Sequence, residues 1–258
     1  MWLAIAAGVW VLVIAASRVL LTTGPRRGDI DAGLFFWVAV LYARLLHRLR
    51  VEGREHIPRT GPLIVVANHT GGVDPILIQV AVPRREIRWM MARDMMIPRL
   101  RGLWEWMRVI PVVRSGASGD SGAAREALRH LKDGGVLGVF PEGAIERPPG
   151  ILRPFAPGVG LLAARSGAPV LPVVITGTPA ASSAWGSLFR PSRSRIRILP
   201  PVCYAQENLS PEAIAADLLR RIAEASGWPV GGPMEGTAGR VGEAGGAGEV
   251  SRGRRASS

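Results

Sequence analysis

The chain has 258 residues, 48% of them hydrophobic, enough to bury a core in one sizeable domain with appendages. Its formal net charge is +12, carried almost wholly by arginine because Lys132 is the only lysine; that suits nucleic acid, anionic lipid or a polyphosphate ligand, and equally a proteome that writes Arg for Lys, so charge alone does not choose. Cys203 is the only cysteine, which excludes an internal disulfide and a cysteine-held zinc, and with histidines scattered at 47, 56, 69 and 130 no structural metal site is expected.

The N-terminus, "MWLAIAAGVWVLVIAASRVLLTTGPRRGD", is almost wholly apolar over residues 2–17. No Arg or Lys precedes the run and no small-residue cleavage pattern follows it, so a signal peptide is not expected. The run is short for a full span, which needs about 20 residues. It either spans, with Arg18, Arg26 and Arg27 placing the rest of the chain in the cytoplasm, or dips into one leaflet. A second stretch, "AGLFFWVAVLYARLLHRLR" (32–50), starts apolar and ends with Arg44, His47, Arg48 and Arg50 among leucines, a pattern that can lie at the headgroups. Residues 1–50 read as a two-helix membrane-binding hairpin, with a buried soluble helix pair as the alternative.

From residue 61 short apolar runs alternate with helical segments. Residues 62–67, 87–92, 109–113, 136–140, 170–175 and 195–199 read as strands. Residues 75–82, 122–133 and 158–166 read as helices, with Gly134 and Gly167 where left-handed caps belong. A last helix opens at Ser210 as N-cap with Pro211 behind it, and should end near Gly227. The alternation predicts an α/β domain over residues 51–228, a mixed, largely parallel sheet flanked by helices. Residues 229–258 are rich in Gly, Ala, Glu, Arg and Ser, with almost nothing to bury, and should be disordered.

Chemistry concentrates in "VVANHTGGVDPILI" (65–78), where His69 and Asp74 lie five positions apart in a glycine-containing strand-to-helix loop. Such loops carry functional groups at the carboxyl ends of strands. The spacing can bring the Asp74 carboxylate to His69 Nδ1, fixing the tautomer and leaving Nε2 free to take a proton from a hydroxyl. Asp74 as a plain N-cap of the next helix, with Pro75 after it, is the bland alternative. No G-x-S-x-G elbow lies near this loop, so covalent hydrolase chemistry gains no support.

A second motif, "GGVLGVFPEGAIE" (134–146), places a strand directly before Phe140-Pro141-Glu142-Gly143. Asn68-His69 with Asp74, "VIPVVR" closing on Arg114, Phe140–Gly143 and "PVLPVVI" (169–175) occur in that order, and together resemble the membrane-bound 1-acylglycerol-3-phosphate acyltransferases. The resemblance covers about residues 60–180. It implies direct acyl transfer from a thioester, acyl-CoA or acyl carrier protein, to a lysolipid hydroxyl, without an acyl-enzyme and without a cofactor. It implies His69 as general base, Asp74 as its orienting acid, Arg114 on the acceptor phosphate, and Glu142 and Gly143 at the acceptor's glycerol end.

The third motif usually continues Thr-Arg-Ser, whereas here it reads Ala144-Ile145-Glu146, with Arg147 and Arg153 as candidate substitutes for the arginine missing at Ile145. The second motif usually begins with glycine, where this chain has Arg108. Both departures touch the acceptor's binding: lysophosphatidate remains the first choice that the resemblance implies, with a larger-headed lysophospholipid or a non-glycerol lipid as alternatives. A thioesterase using the same base on water, and a non-catalytic lipid-binding module, are rival classes. Nucleic acid is not expected as a partner, because the arginines are not interleaved with aromatics. Acyl-chain length and oligomeric state are not written in the sequence.

Overall fold

The computed structural model describes residues 2–83, 85–113, 120–145, 149–181, 183 and 185–231, the side chains of 2–4, 6 and 7 excepted. The chain opens with helices α1 (Trp2–Thr23) and α2 (Ile30–Leu45), followed by strand β1 (Arg50–Glu52). Then come β2 (Leu63–Ala67), α3 (Asp74–Ala81), β3 (Ile87–Ala92), α4 (Arg101–Trp106), β4 (Ile110–Val112), α5 (Ser121–Lys132) and β5 (Val136–Val139). The domain closes with α6 (Gly158–Ser166), β6 (Val170–Thr176), β7 (Arg195–Ile198) and α7 (Pro211–Ser226).

Seven strands form one sheet in the order β1-β7-β6-β2-β5-β3-β4. Every pairing is parallel except β6 with β7. All five residues of β2 are buried, as expected of a strand covered on both faces. Leu63, Val65 and Ala67 pack toward α2 and α3, whereas Ile64 and Val66 pack toward α5, α6 and α7. The result is three layers, helices on each side of a mixed, mostly parallel sheet.

Local chemistry sets the helix ends. The Asp120 side chain accepts from Gly122 N and Ala123 N at 3.0 Å and starts α5, which buries Ala123, Ala127 and Leu131 along one stripe. Ser210 caps α7 through Ala213 N, and Gly227 ends it at φ 70°. Helices α6 and α7 meet at Gly160, where a Cβ would lie 2.0 Å from the Pro211 carbonyl oxygen.

The hairpin is integral to the domain. Helix α1 crosses α2 at Gly33, where a Cβ would stand 2.1 Å from the Leu20 carbonyl oxygen. Phe36, Ala39, Val40 and Ala43 of α2 are buried in the core shared with α3. Arg26, between the two helices, bonds to Glu86 and to the Trp106 carbonyl. The outward faces stay apolar: Trp10, Leu12, Leu34, Val38, Leu41 and Leu45 are among the exposed large hydrophobic residues. Among the described residues no helix is long and apolar enough to cross a membrane.

The second helix is shorter than its sequence pattern suggests. It ends at Leu45 because residues 48–52 turn into the sheet, with Arg48 at φ 43° and Arg50–Glu52 paired to Arg195–Arg197. His47 is fully buried, its Nδ1 2.8 Å from Ser192 Oγ, so it does not sit among headgroups with Arg44. Burial pushes its pKa down. At the other end, Gly231 N donates to the Leu152 carbonyl, which carries described structure three residues past Trp228; residues 232–258, most of the expected tail, lie outside the described residues.

Gly160→Ala tests the α6–α7 contact. Alanine favours an isolated helix by about 1 kcal/mol over glycine, but a carbonyl at 2.0 Å is backbone that no rotamer change can clear. The urea midpoint should fall, by the equivalent of about 1–3 kcal/mol.

Candidate active site

The site sits where parallel strands β2 and β5 deliver their carboxyl ends. The Asn68 side chain locks the first loop to the sheet: its Nδ2 donates to the Ile175 carbonyl at 2.9 Å, and its Oδ1 accepts from Ile175 N at 2.8 Å. Asn68 is fully buried, so these bonds replace ladder bonds that β6 would otherwise lack.

His69 and Asp74 are in contact, Nδ1 lying 2.9 Å from Oδ2. Asp74 is fully buried and its carboxylate also accepts from Thr70 N at 2.6 Å and Gly71 N at 2.8 Å. The Thr70 hydroxyl adds contacts at 3.2 and 3.3 Å, and itself accepts from Thr178 Oγ1 at 2.7 Å. Asp74 is thus not the N-cap of α3. Val73 occupies that position, and Asp74, the first helical residue, turns its carboxylate back into the loop to gather the donors of residues 69–71. A buried charge needs this many donors to be tolerated. With Nδ1–H given to the carboxylate, His69 presents Nε2 as an acceptor. That atom has no partner among the described residues, and the side chain is 18% exposed.

An aromatic stack fixes the plane of the imidazole. His69 stacks on Phe140 with centroids 4.0 Å apart and planes 14° apart, and Phe140 stacks on Trp89 at 4.6 Å and 10°. Gly138 makes room, since a Cβ there would lie 2.5 Å from Trp89 Cε3.

Glu142 joins the two motif loops. It is 5% exposed, and its Oε1 accepts from His69 N at 2.7 Å while Oε2 accepts from Arg153 N at 3.0 Å. Gly143 follows, exposed and at φ 70°. The structure therefore brings His69, Asp74 and Glu142 together, with Gly143 next in the chain. Arg114 and Arg147 lie outside the described residues; β4, which leads to Arg114, runs parallel to β3 and ends on the same side of the sheet. Among the described residues no group of three or more His, Cys, Asp or Glu is arranged to hold a metal.

Sequence reasoning missed Asn68 as a clamp, Thr70 and Thr178 as a hydroxyl relay, and Trp89 as the base of the stack. Trp89 carried a weak signal, being on the same side of its strand as buried Ile87. Thr178 carried none, because only the fold brings it 2.7 Å from Thr70.

A site of this composition, a histidine braced by a buried aspartate at the carboxyl edge of a mixed sheet, can remove a proton from a hydroxyl or water. The acyltransferase family model matches residues 48–176, half of the chain, and the chain belongs to the acyltransferase family. Within it the kinship is with the 1-acylglycerol-3-phosphate acyltransferases. The mouse 1-acyl-sn-glycerol-3-phosphate acyltransferase alpha is 28% identical over 80% of this chain and 73% of its own length. The Borreliella burgdorferi 1-acyl-sn-glycerol-3-phosphate acyltransferase is 28% identical over 51% of this chain and 52% of its own. The crystal structure of the 1-acyl-sn-glycerophosphate acyltransferase PlsC from Thermotoga maritima shares the fold, with a TM-score of 0.62 at 24% identity, covering 77% of this chain and 82% of that one.

Replacing Asn68 by Ala orphans the N–H and C=O of Ile175 in a fully buried position. Each orphaned group costs roughly 1–3 kcal/mol, so Asn68→Ala should lower the thermal midpoint far more than a surface Asn→Ala change, as calorimetry would read.

Proposed function

We propose that this protein is a membrane-associated O-acyltransferase that moves a fatty acyl group from a thioester, acyl-CoA or acyl carrier protein, to the hydroxyl of a lysolipid. The acceptor that best fits is 1-acylglycerol-3-phosphate, giving phosphatidate in phospholipid synthesis. The observation that carries the reading is the 2.9 Å contact between His69 Nδ1 and the buried Asp74 carboxylate, with Nε2 left open. Membership of the acyltransferase family and the names of the relatives support it.

The chemistry follows from the geometry. Nε2 takes the proton of the acceptor hydroxyl as its oxygen attacks the thioester carbonyl carbon. A carbon–oxygen bond forms, the tetrahedral oxyanion collapses, the carbon–sulfur bond breaks, and the imidazolium returns its proton to the leaving thiolate. Asp74 stabilises the imidazolium and fixes the tautomer. Glu142 acts as a positioning residue through the His69 backbone, and the exposed Gly143 offers its backbone to the acceptor's glycerol end. Arg114 would meet the acceptor phosphate, a bidentate match of guanidinium and phosphate oxygens. Ile145, half-buried where the family's usual third motif has arginine, leaves a larger-headed or non-glycerol acceptor as the second reading.

The hairpin is the proposed means of attachment. Both substrates are amphiphiles, and the exposed apolar faces of α1 and α2 offer a surface that water does not favour. The side proposed is the cytoplasmic face of the cell membrane, where Arg18, Arg26 and Arg27 after the first apolar run would keep the rest of the chain.

His69→Gln and Asp74→Asn should each lower lysolipid-dependent release of CoA by about 10²–10⁴-fold; the far-UV spectrum should stay near the parent's in both, and the melting temperature in His69→Gln, whereas Asp74→Asn, which gives up the buried carboxylate that the loop N–H groups share, should melt earlier. Release of CoA at full rate without any lipid acceptor would instead indicate a thioesterase. For the hairpin, Trp10→Ser combined with Leu12→Ser should shift the protein from the vesicle to the soluble fraction in a flotation assay, with the melting temperature preserved because both side chains face outward.

A further inference from the structure

Residues 48–50 and 193–195 form a basic cleft of about 360 Å³ outside the catalytic loops, lined by Arg48, Arg50, Arg193, Ser194 and Arg195. Four of the five lining residues are arginines, all exposed, and none has a carboxylate within ion-pairing distance among the described residues. The nearest pair in sequence, Arg197 with Glu52, lies one step further along the same strands. Like charges clustered on neighbouring residues without counter-charge repel one another, so the cluster calls for a reason.

The cleft is laced together by backbone rather than left to loose side chains. Ser192 N donates to the Leu46 carbonyl, Ser194 N to the His47 carbonyl, and Arg50 N to the Ser194 carbonyl, at 3.1, 2.9 and 3.0 Å. Buried His47 and Ser194 lie behind it, linked through Ser192 Oγ by two 2.8 Å bonds. Arg48 takes a left-handed backbone at φ 43°, a conformation that costs a non-glycine residue stability. Rigid segments thus hold the arginines in register.

Its place in the fold is informative. Strand β7 runs antiparallel to β6, pairing Arg195 with Thr176, and β1 pairs Arg50 with Arg195. The arginines therefore stand at the end of the sheet where β2 delivers His69, on strands two and three places from it. Three residues before Arg48, the α2 chain still exposes Leu45, and Leu41 before that.

We propose that this cleft binds the phosphate of an anionic membrane lipid headgroup, and so turns the catalytic edge of the sheet toward the bilayer. The proposal rests on the reading of the protein as an enzyme of lipid substrates. Arginine forks match phosphate oxygens bidentately, and an apolar flank beside the cations is the pattern of an interfacial segment rather than of a soluble nucleotide site.

The test is sedimentation of the purified full-length protein with phosphatidylcholine vesicles, with and without phosphatidylglycerol, at low ionic strength. Wild type should favour the anionic vesicles, and the preference should shrink with salt. Arg193→Gln with Arg195→Gln should cut anionic-vesicle affinity roughly thirtyfold and leave affinity for neutral vesicles unchanged. Arg125→Gln with Arg129→Gln, which removes the same charge from the exposed face of α5, should leave both unchanged. Arg50→Gln, outside β7, repeats the test should the first double variant melt early. Equal losses in the two double variants would overturn the proposal, as would no vesicle preference in the wild type. Loss of coenzyme A binding with vesicle binding intact would also overturn it, and give the cleft to the acyl donor. Wild-type CoA release is read separately: anionic selectivity without lysolipid-dependent turnover would sink the acyl-transfer reading and leave the cleft standing.

Discussion

The structure turns on one buried charge. Asp74 is fully enclosed, and a carboxylate in that position is tolerable only if donors surround it. The loop from residue 68 to 74 is the answer to that demand: two main-chain N–H groups, a threonine hydroxyl and an imidazole N–H all point at the same group. Gly71 is close-packed, with a Cβ there 3.3 Å from the Ser187 side chain. The carboxylate that organises the turn is the one that orients His69, so folding of the loop and orientation of the imidazole are one event.

The larger frame supports this loop from several directions. Asn68 ties it to β6, Glu142 ties it to the segment after β5, and the Phe140–Trp89 stack supports the ring from the neighbouring strands. The braces reach the loop from β6, from the segment after β5 and, through Trp89, from β3. A site held this way varies little in geometry, as the proposed transfer between two substrates would require.

Much of this was legible in the sequence, and what was not has physical causes. The β6 and α6 segments announce themselves, one by an unbroken apolar run and the other by a terminal Gly167 at φ 63°. The pair His69 and Asp74 was legible because five residues in a tight loop leave few ways to fold. Strand β1 was hidden: it has three residues, alternates exposed and half-buried, and exists only because β7 is there to pair with it. The overlong second helix has the same cause, since the leucine and arginine pattern of residues 45–50 suits a helix until the sheet claims its end. Thr178 and Trp89 reach the site by tertiary contact alone, which no local spacing encodes.

The stack of Trp89, Phe140 and His69 has a consequence for how protons move under the proposed chemistry. Phe140 lies against one face of the imidazole and the buried Asp74 holds its Nδ1, so the ring has one preferred orientation with Nε2 outward. The same nitrogen must therefore both collect the alcohol's hydrogen and hand it to the departing sulfur, with no exchange through the opposite side of the ring. Under that proposal the alcohol and the thioester sulfur would both come within reach of the one outward nitrogen, which is the demand a direct hand-over makes on the shape of the site.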